Sequence, residues 1–452
     1  MVEIRPFRGI LYDTARIGPD ISEVVCPPYD VISPDQGREY HLRHPYNAIR
    51  LILGEDRPGD TPDGDNRYRR AAAYFESWRA GGILTQDASP ALYLLEESYA
   101  DEDGRPRTRL GVICLVRLSD IGSSTIRPHE ATHEGPKQDR FELIKATSAN
   151  FCQVFTLYTD PTHTLERIAE DICRGRPRLE AGDEEGVKRR LYAIVDPEHH
   201  KSIQQTLEQK ELLIADGHHR YETALAYRDW RRSREGFDGR AHGYDYLMMY
   251  LTNTQAEGLT IYPTHRILTK YAQWDPQRFL QQIQDLFSVE TIPGTGSPED
   301  ARLLREAMAS RAGDGRVRIG MKSKALKDYH LLTLEDEARA DRLLGEAVHP
   351  ELRRLDVKIL HAILLERCLG ISQQDQDKGT NIVYVHGAER AVRMMEEDLL
   401  HCAVFFLNPP SVTTVSRVAR AGEKMPQKST FFYPKLLTGL VFRTIEDLDE
   451  EE

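Results

Sequence analysis

The stretch LLIADGHHRYETALAYRDW, residues 212–230, decides how the middle of the chain is interpreted. An apolar run ends at Asp216 and Gly217, two histidines and an arginine follow at once, and a helical pattern then begins. Gly217 can take the positive φ that a sharp turn from strand to helix often demands. The stretch therefore predicts a strand that ends at Asp216 and a helix that starts directly after the turn.

The polar residues of this turn suit the binding of a phosphate group. Free backbone N–H groups and the dipole at the start of a helix together favour an anion. Arg220 would add a bidentate clamp, and Asp216 would hold a magnesium ion or accept a proton from an attacking hydroxyl. His218 and His219 face different directions, so we expect at most one of them to face a ligand. The alternative is that Asp216 only caps the helix and the histidines are structural, but its place at the end of an apolar strand favours function.

Three further polar blocks are candidates for the same chemistry. RPHEATHEGPKQDR, residues 127–140, has the mixed charge of a phosphate and magnesium site, although an exposed loop can share this composition. YPTHRIL puts two basic residues at the end of a strand, and GEKMPQKSTFFYPKLLTGLVF puts basic and hydroxyl residues before a buried strand. Ordinary core, surface or loop roles remain open for both. The candidate binding residues from the three blocks are Arg127, His129, Glu130, Lys137, Arg140, His265, Arg266, Lys424, Gln427, Lys428 and Ser429.

Length and patterning predict a mixed α/β fold with more than one domain. The chain has 452 residues, 40% of them hydrophobic and 29% charged, which is typical of a globular protein of two or three domains. Two apolar runs around DEDGRP predict a β-hairpin. We expect an N-terminal α/β region over residues 1–200, a phosphate-binding segment over 201–290, and a C-terminal helical region with closing strands over 291–452.

Charge, apolar runs and motifs argue against several classes of protein. The net charge of −12, partly from the terminal EDLDEEE, opposes binding to nucleic acid. No apolar run approaches the roughly 20 residues that span a bilayer, and the first residues lack the pattern of a secretory signal. The six cysteines form no Cys-x-x-Cys pair, which argues against a zinc site or a disulfide framework. Walker, Gly-x-Ser-x-Gly, His-Glu-x-x-His and Gly-x-Gly-x-x-Gly motifs are absent. We therefore expect a cytoplasmic protein without a membrane partner.

Seven blocks together resemble the domain-of-unknown-function 1015 family, DUF1015. They are RPFRGILY, CPPYDVIS, RPHEAT, GPKQDRFELIKATSAN, ADGHHRYETA, PTHRIL and KMPQKSTFFYPKLLTGLVF, which span nearly the whole chain. The turn DGHHR also resembles the ParB-like nucleotide-binding fold that includes the free-serine kinases, over about residues 212–268. That resemblance implies a ParB-like strand-turn-helix core with large additions on both sides, in which residues 216–220 line a phosphate site. It also implies phosphorylation of free L-serine with ADP, ATP or pyrophosphate.

The resulting hypothesis is a small-molecule phosphotransferase, most concretely a free L-serine kinase that forms O-phosphoserine. Asp216, His218 and His219 would be catalytic, while Asp216 and Glu130 would bind the expected Mg²⁺. The lack of an adenine fingerprint favours a short donor such as pyrophosphate over a nucleotide. A nucleotide-binding switch of the ParB-like type and a regulatory scaffold protein are the alternatives. The expected partners are the phosphate donor, a small acceptor molecule and, in a homodimer, a second copy of the chain.

Overall fold

The computed structural model describes residues 1–236, 238–446 and 448, so most of the acidic terminal stretch EDLDEEE lies outside the described residues. The strands are β1 (Ile4–Arg5), β2 (Ile10–Tyr12), β3 (Leu84–Gln86), β4 (Leu92–Ala100), β5 (Pro106–Arg117), β6 (Ile126–Arg127), β7 (Ala149–Asn150), β8 (Val154–Tyr158), β9 (Leu179–Gly182), β10 (Lys188–Ile194), β11 (Leu212–Asp216), β12 (Tyr246–Asn253), β13 (Thr260–Tyr262), β14 (Thr264–Thr269), β15 (Phe287–Ile292), β16 (Arg318–Ser323), β17 (Tyr329–Leu334), β18 (Ile382–His386), β19 (His401–Phe406), β20 (Phe431–Tyr433) and β21 (Arg443–Thr444).

The α-helices alternate with these strands along the chain, which confirms the mixed α/β class. They are α1 (Thr14–Ile17), α2 (Pro34–Arg43), α3 (Ile49–Ile52), α4 (Arg67–Ala80), α5 (Glu134–Thr147), α6 (Thr164–Ile172), α7 (Pro197–Glu208), α8 (His218–Glu235), α9 (Pro276–Ile283), α10 (Ala301–Ser310), α11 (Glu337–Leu344), α12 (Pro350–Arg353), α13 (Asp356–Ile359), α14 (Gln373–Lys378), α15 (Ala388–Glu397) and α16 (Val412–Arg420). Leu360–Cys368 is π-helical. Within the described part of the chain, no helix is long and apolar enough to cross a membrane.

The chain forms two compact units that do not follow the expected boundaries at residues 200 and 290. The first unit comprises Met1–Pro128, Thr132–Thr260 and Pro434–Glu452, and the second comprises His129–Ala131 and Ile261–Tyr433. The segment over 201–290 is divided between them, because β11 pairs with β6 and β8 while β12 pairs with β5 and β8. Strand pairing therefore joins the central segment up to residue 260 to the N-terminal region.

The sheet of the first unit positions β11 near one edge. Its strand order is β6-β11-β8-β12-β5-β4-β10-β9, with β1 paired to β5. The antiparallel pair β4 and β5 is the hairpin predicted around DEDGRP. The residues of β11 that precede its final aspartate are buried, and Leu212 and Ile214 belong to the main hydrophobic core of this unit. The polar turn thus follows a strand that is anchored in the core.

The second unit contains an antiparallel sheet where a mainly helical region was expected. The order is β15-β17-β16-β19-β14-β18, and residues of α10 and α15 pack into its core. Every residue of β16 and β17 is buried, and both are interior strands of this sheet. The expectation of helices over most of 291–452 is corrected to a sheet flanked by helices.

Candidate functional site

The turn after β11 has the geometry that the sequence predicts. β11 ends at Asp216, Gly217 has a φ of +92°, and α8 begins at His218. A Cβ atom added to Gly217 would lie 3.0 Å from the guanidinium of Arg220. Glycine is therefore required both by the left-handed backbone and by the close approach of this arginine.

Two cations hold the carboxylate of Asp216. Its Oδ1 accepts a hydrogen bond of 2.8 Å from Lys435 Nζ, and its Oδ2 accepts one of 2.8 Å from Arg220 Nη2. Burial alone would raise the pKa of Asp216, but the charges of Lys435 and Arg220 hold this pKa well below its usual range. The carboxylate is therefore ionised at neutral pH, and the three groups together carry one net positive charge at the start of a helix.

Arg220 makes a second hydrogen bond besides the one to Asp216. Its Nη1 donates to the backbone carbonyl of Gln153. Burial lowers the pKa of the guanidinium, but the negative charges around it, chiefly those of Asp216 and also of Asp30, raise the pKa above its ordinary value. The guanidinium stays charged and has a defined orientation, as a phosphate-binding group requires.

The two histidines of the turn have different exposure. His218 is buried, whereas His219 is half-buried. His219 Nε2 accepts a hydrogen bond of 3.0 Å from the backbone N–H of His133, and the two rings are stacked with centroids 6.4 Å apart. Burial, aided by the charges of His133 and Lys137, lowers the pKa of His219 although Asp30 opposes the shift. His219 is therefore the turn histidine with solvent access, in its neutral form at pH 7.

Helix α5 brings two of the predicted basic residues to the same unit. Lys137 Nζ lies 2.6 Å from Glu134 Oε1 and 3.4 Å from Glu222 Oε2. Arg140 lies over the ring of Tyr29, with Cζ 4.0 Å from the ring centroid. Arg140 and Arg220 also line one small cavity of about 60 Å³, together with Cys152 among others. The blocks that carry Arg140 and Arg220 thus converge in space.

A larger groove runs beside this cluster between α5 and α8. Its volume is about 530 Å³, within the range of small-molecule sites. Lys137 and Glu222 line one part, and Phe141 and Leu225 contribute apolar surface. The groove is lined by α8 from Glu222 onward and by α5, so it offers space for a small molecule beside Lys137 and Glu222.

Arg127 also lies in the first unit but outside this cluster. Its Nε forms an ion pair with Glu211, which precedes β11, whereas Asp216 ends that strand. The guanidinium is thus engaged at the opposite end of β11 from the turn. The structure does not bring Arg127 to Asp216.

The remaining predicted residues lie in the second unit, and several of them contact the loop over residues 426–430. His129 is buried, and its Nε2 lies 3.1 Å from Thr430 Oγ1. Glu130 Oε1 accepts a hydrogen bond of 3.0 Å from the backbone N–H of Lys428, which has a φ of +51°. Ser429 Oγ donates to the carbonyl of Pro426. Lys424 and Lys428 are exposed and Gln427 is partly exposed, so this loop presents amines and an amide from a constrained backbone.

Arg266 binds backbone carbonyls of that loop. It is fully buried, and its Nη2 donates to the carbonyls of Gln427 and Lys428 at 3.3 and 3.1 Å. Its Nε donates to His361 Nε2 at 3.1 Å. Burial lowers the pKa of Arg266 to about 10. His265 points elsewhere, since its Nδ1 accepts the backbone N–H of Leu407 at 3.3 Å, and burial lowers its pKa to about 3. Both residues therefore act inside the second unit.

The two predicted magnesium ligands fit only part of a metal site. Asp216 and Glu130 belong to different units, and within the described residues no group of three or more His, Cys, Asp or Glu side chains could hold a metal ion. Mg²⁺ is commonly bound by one or two carboxylates, water and the phosphates of a substrate. Both carboxylate oxygens of Asp216 are held by Lys435 and Arg220, so Asp216 would bind Mg²⁺ only after a phosphate had drawn one of these cations away.

Four residues that contact or influence the turn residues 216–220 are not among those predicted from the sequence. They are Tyr29, Asp30, His133 and Lys435. The signal for Tyr29 and Asp30 was present in CPPYDVIS, where two prolines enforce extended backbone before a polar pair. Lys435 had no local signal, because its partner Asp216 lies 219 positions away.

The fold and this turn define a two-unit mixed α/β protein with a candidate anion-binding site. The model of the family described as "Protein of unknown function (DUF1015)" matches residues 4–358, and the chain belongs to that family. The resemblance found in the sequence blocks is thereby confirmed.

Similar solved structures include proteins with a kinase name. A free serine kinase variant in complex with ADP is 10% identical, with 70% of this chain and 90% of that chain covered and a TM-score of 0.33. SbnI with a C-terminal truncation from Staphylococcus aureus is 13% identical, with coverages of 73% and 86% and a TM-score of 0.33. A conserved hypothetical protein from Pyrococcus furiosus is 13% identical, with coverages of 69% and 89% and a TM-score of 0.31. No curated protein matches the chain. Likenesses this distant carry no argument about activity.

Proposed function

We propose that the protein is a small-molecule phosphotransferase whose α8 turn binds the phosphate that is transferred. The observation that carries the proposal is the ionised Asp216 between Lys435 and Arg220 at the start of a helix. The backbone N–H groups at the start of α8 would add to these cations. An incoming phosphate competes with Asp216 for both cations, and this competition releases carboxylate oxygens beside the phosphate.

Transfer of a phosphoryl group needs positioning and charge stabilisation more than covalent chemistry. Charge in the loose transition state spreads over the phosphoryl oxygens, where Lys435 and Arg220 would offset it. Asp216 is a weak base because of its low pKa. It would therefore orient the acceptor hydroxyl by accepting its hydrogen bond, and it would take the proton late in the reaction.

The specific reaction that we propose is the phosphorylation of free L-serine to O-phosphoserine. Its support is the resemblance of the DGHHR turn to the free-serine kinases, together with a groove of about 530 Å³ that is lined by Lys137 and Glu222. Pyrophosphate, ADP and ATP are the candidate donors. Mg²⁺ would neutralise donor phosphates when bound, with Asp216 as its protein ligand. Lys137 would reach a donor or acceptor in the groove.

The test is the formation of O-phosphoserine by the purified protein with L-serine, Mg²⁺ and each donor in turn. Asp216→Asn should lower kcat by about 100-fold or more while leaving the fold intact, since it removes the charge that orients the hydroxyl. Asp171→Asn is the control, because Asp171 is an exposed carboxylate on α6. No product with any donor would refute the kinase. Nucleotide binding without turnover would instead support the switch.

A further inference from the structure

Three charged side chains are buried in a row across the sheet of the first unit. Glu97 on β4 lies directly opposite Arg109 on β5 and directly opposite Arg189 on β10. Glu97 and Arg109 are 0% exposed and Arg189 is 2% exposed. A carboxylate between two guanidiniums therefore occupies a position where strand residues are ordinarily apolar.

The three side chains are joined by hydrogen bonds. Arg109 donates to Glu97 Oε2 from Nε at 2.8 Å and from Nη2 at 2.5 Å. Arg189 donates to Glu97 Oε1 from Nε at 3.2 Å, and its Nη1 donates to Asp183 at 2.7 Å. The two arginines and the two carboxylates balance in charge, so the cluster carries no net charge.

The same arginines bind two consecutive carbonyl groups near the C-terminal end of the described chain. Arg109 Nη2 donates to the carbonyl of Pro434 at 2.7 Å, and Arg189 Nη2 donates to the carbonyl of Lys435 at 3.0 Å. Lys435 is the residue whose Nζ contacts Asp216. The cluster thus holds the backbone from which that amine extends.

We propose that Arg109 and Arg189, bridged by Glu97, are positioning residues that fix Lys435 against Asp216. Buried ion pairs lose hydration, and apolar residues of similar volume often stabilise a fold equally well. Stability alone therefore does not account for the cluster, whereas its two bonds to the backbone of residues 434 and 435 set the place of the lysine. The assignment of a catalytic purpose to that place rests on the proposed function.

The experiment is a double-mutant cycle with inorganic pyrophosphate as the probe, measured by calorimetry. Arg189→Lys keeps the charge but shortens the reach to the carbonyl of Lys435. It should weaken pyrophosphate binding about 3- to 10-fold in the natural background and by less than about 2-fold when Lys435→Ala is already present. An equal loss in both backgrounds would overturn the proposal, because a general structural effect is additive. Unchanged affinity in the natural background would overturn it too.

Hydrogen exchange of backbone amides supplies a measurement that needs no ligand. In Arg189→Lys the amides of residues 435–440 should exchange faster, while those of β4 and β5 keep their protection. Unchanged exchange over 435–440 would refute the positioning role. If the natural protein binds no pyrophosphate, pyrophosphate is excluded as the donor of the proposed function, and the exchange measurement alone decides the positioning role.

Two more variants keep the test decisive. Arg190→Lys is the matched control, since Arg190 is the next residue on β10, is partly exposed and pairs with Glu96. It should change neither affinity nor exchange. Where Arg189→Lys does not fold, Arg109→Lys tests the same role through the carbonyl of Pro434, with the same outcomes expected.

Discussion

Lys435 Nζ lies 2.8 Å from Oδ1 of Asp216, although 219 positions separate the two residues in the sequence. The contact joins the end of β11 to the segment that returns to the first unit after the second unit is complete. Arg220 holds the other carboxylate oxygen at the same distance of 2.8 Å. Asp216 therefore lies between two cations, Arg220 and Lys435, that come from different chain segments of the first unit.

Replacing Lys435 with alanine should weaken pyrophosphate binding by about 10- to 100-fold, because one charged hydrogen bond to phosphate is lost. The pKa of Asp216 should rise toward its ordinary value, since Lys435 is the largest of the charges that lower it. Calorimetry at pH 7 measures the affinity. Lys145→Ala is the control, because Lys145 is exposed at the end of α5 and pairs only with Glu142 among the contacts described. Equal affinities for the natural protein and Lys435→Ala would contradict the role of Lys435.

Replacing Gly217 with alanine should reduce both stability and phosphate binding. The positive φ costs alanine about 1–2 kcal/mol, and the added Cβ, 3.0 Å from the guanidinium of Arg220, displaces that group. Gly315→Ala is the matched control, because Gly315 is also in the left-handed helical region, with a φ of +75°, and nothing lies within 4 Å of the added Cβ. We expect comparable losses of unfolding free energy but at least about 10-fold weaker pyrophosphate binding only for Gly217→Ala. Equal binding by the two variants would show that Arg220 is not displaced.

The pH dependence of turnover should report the neutral state of His219. Because the pKa of His219 is lowered from its ordinary value of 6.5, its protonation begins below that pH. An acid limb of kcat/KM due to His219 should therefore lie below pH 6.5 and should disappear in His219→Asn. Rates measured from pH 5 to 8 test this. A limb at or above pH 6.5 that disappears in the variant would contradict a lowered pKa of His219 in the working enzyme.

The stability of the second unit should fall on acidification because of His265. Burial lowers its pKa from 6.5 to about 3, so below pH 6.5 the unfolded chain binds a proton that the folded chain excludes. The contribution of neutral His265 to the free energy of unfolding is therefore complete above pH 6.5 and is lost as the pH falls toward 3. Between pH 7 and pH 5 the contribution is about 2 kcal/mol.

Urea unfolding at pH 7 and pH 5 checks the effect of His265. The difference in unfolding free energy between the two pH values should be smaller by about 2 kcal/mol in His265→Gln. His163→Gln is the control, because the His163 side chain is 46% exposed. The same pH difference in His265→Gln as in the natural protein would contradict a buried, neutral His265.

Local signals allowed the turn and its neighbours to be predicted from the sequence. An apolar run, one glycine and a helical pattern sufficed for β11 and α8, and DEDGRP between two apolar runs sufficed for β4 and β5. β16 and β17 were missed because RIGMKS and YHLLTL place polar residues at buried positions. Lys322, for example, is buried with its amine bound to backbone carbonyls, which a pattern of apolar and polar residues does not reveal.

Long-range pairing accounts for the rest of what the sequence did not reveal. The polar block at residues 127–140 was predicted to act as one group. However, His129–Ala131 belongs to the second unit, and the rest of the block belongs to the first. Glu97, Arg109 and Arg189 look like exposed strand residues in a sequence, because charge ordinarily indicates exposure. Only the register of β4, β5 and β10 shows that they form one buried cluster.

The discontinuity of the first unit sets the order in which its parts become available during synthesis. β11 and α8 are complete once the ribosome has passed residue 235, but Lys435 and the buried Phe442 follow only after the whole second unit. At ordinary elongation rates this interval is on the order of ten seconds or more. A nascent chain in this interval carries Asp216 without its lysine, so the proposed phosphate site is among the last features that the growing protein completes.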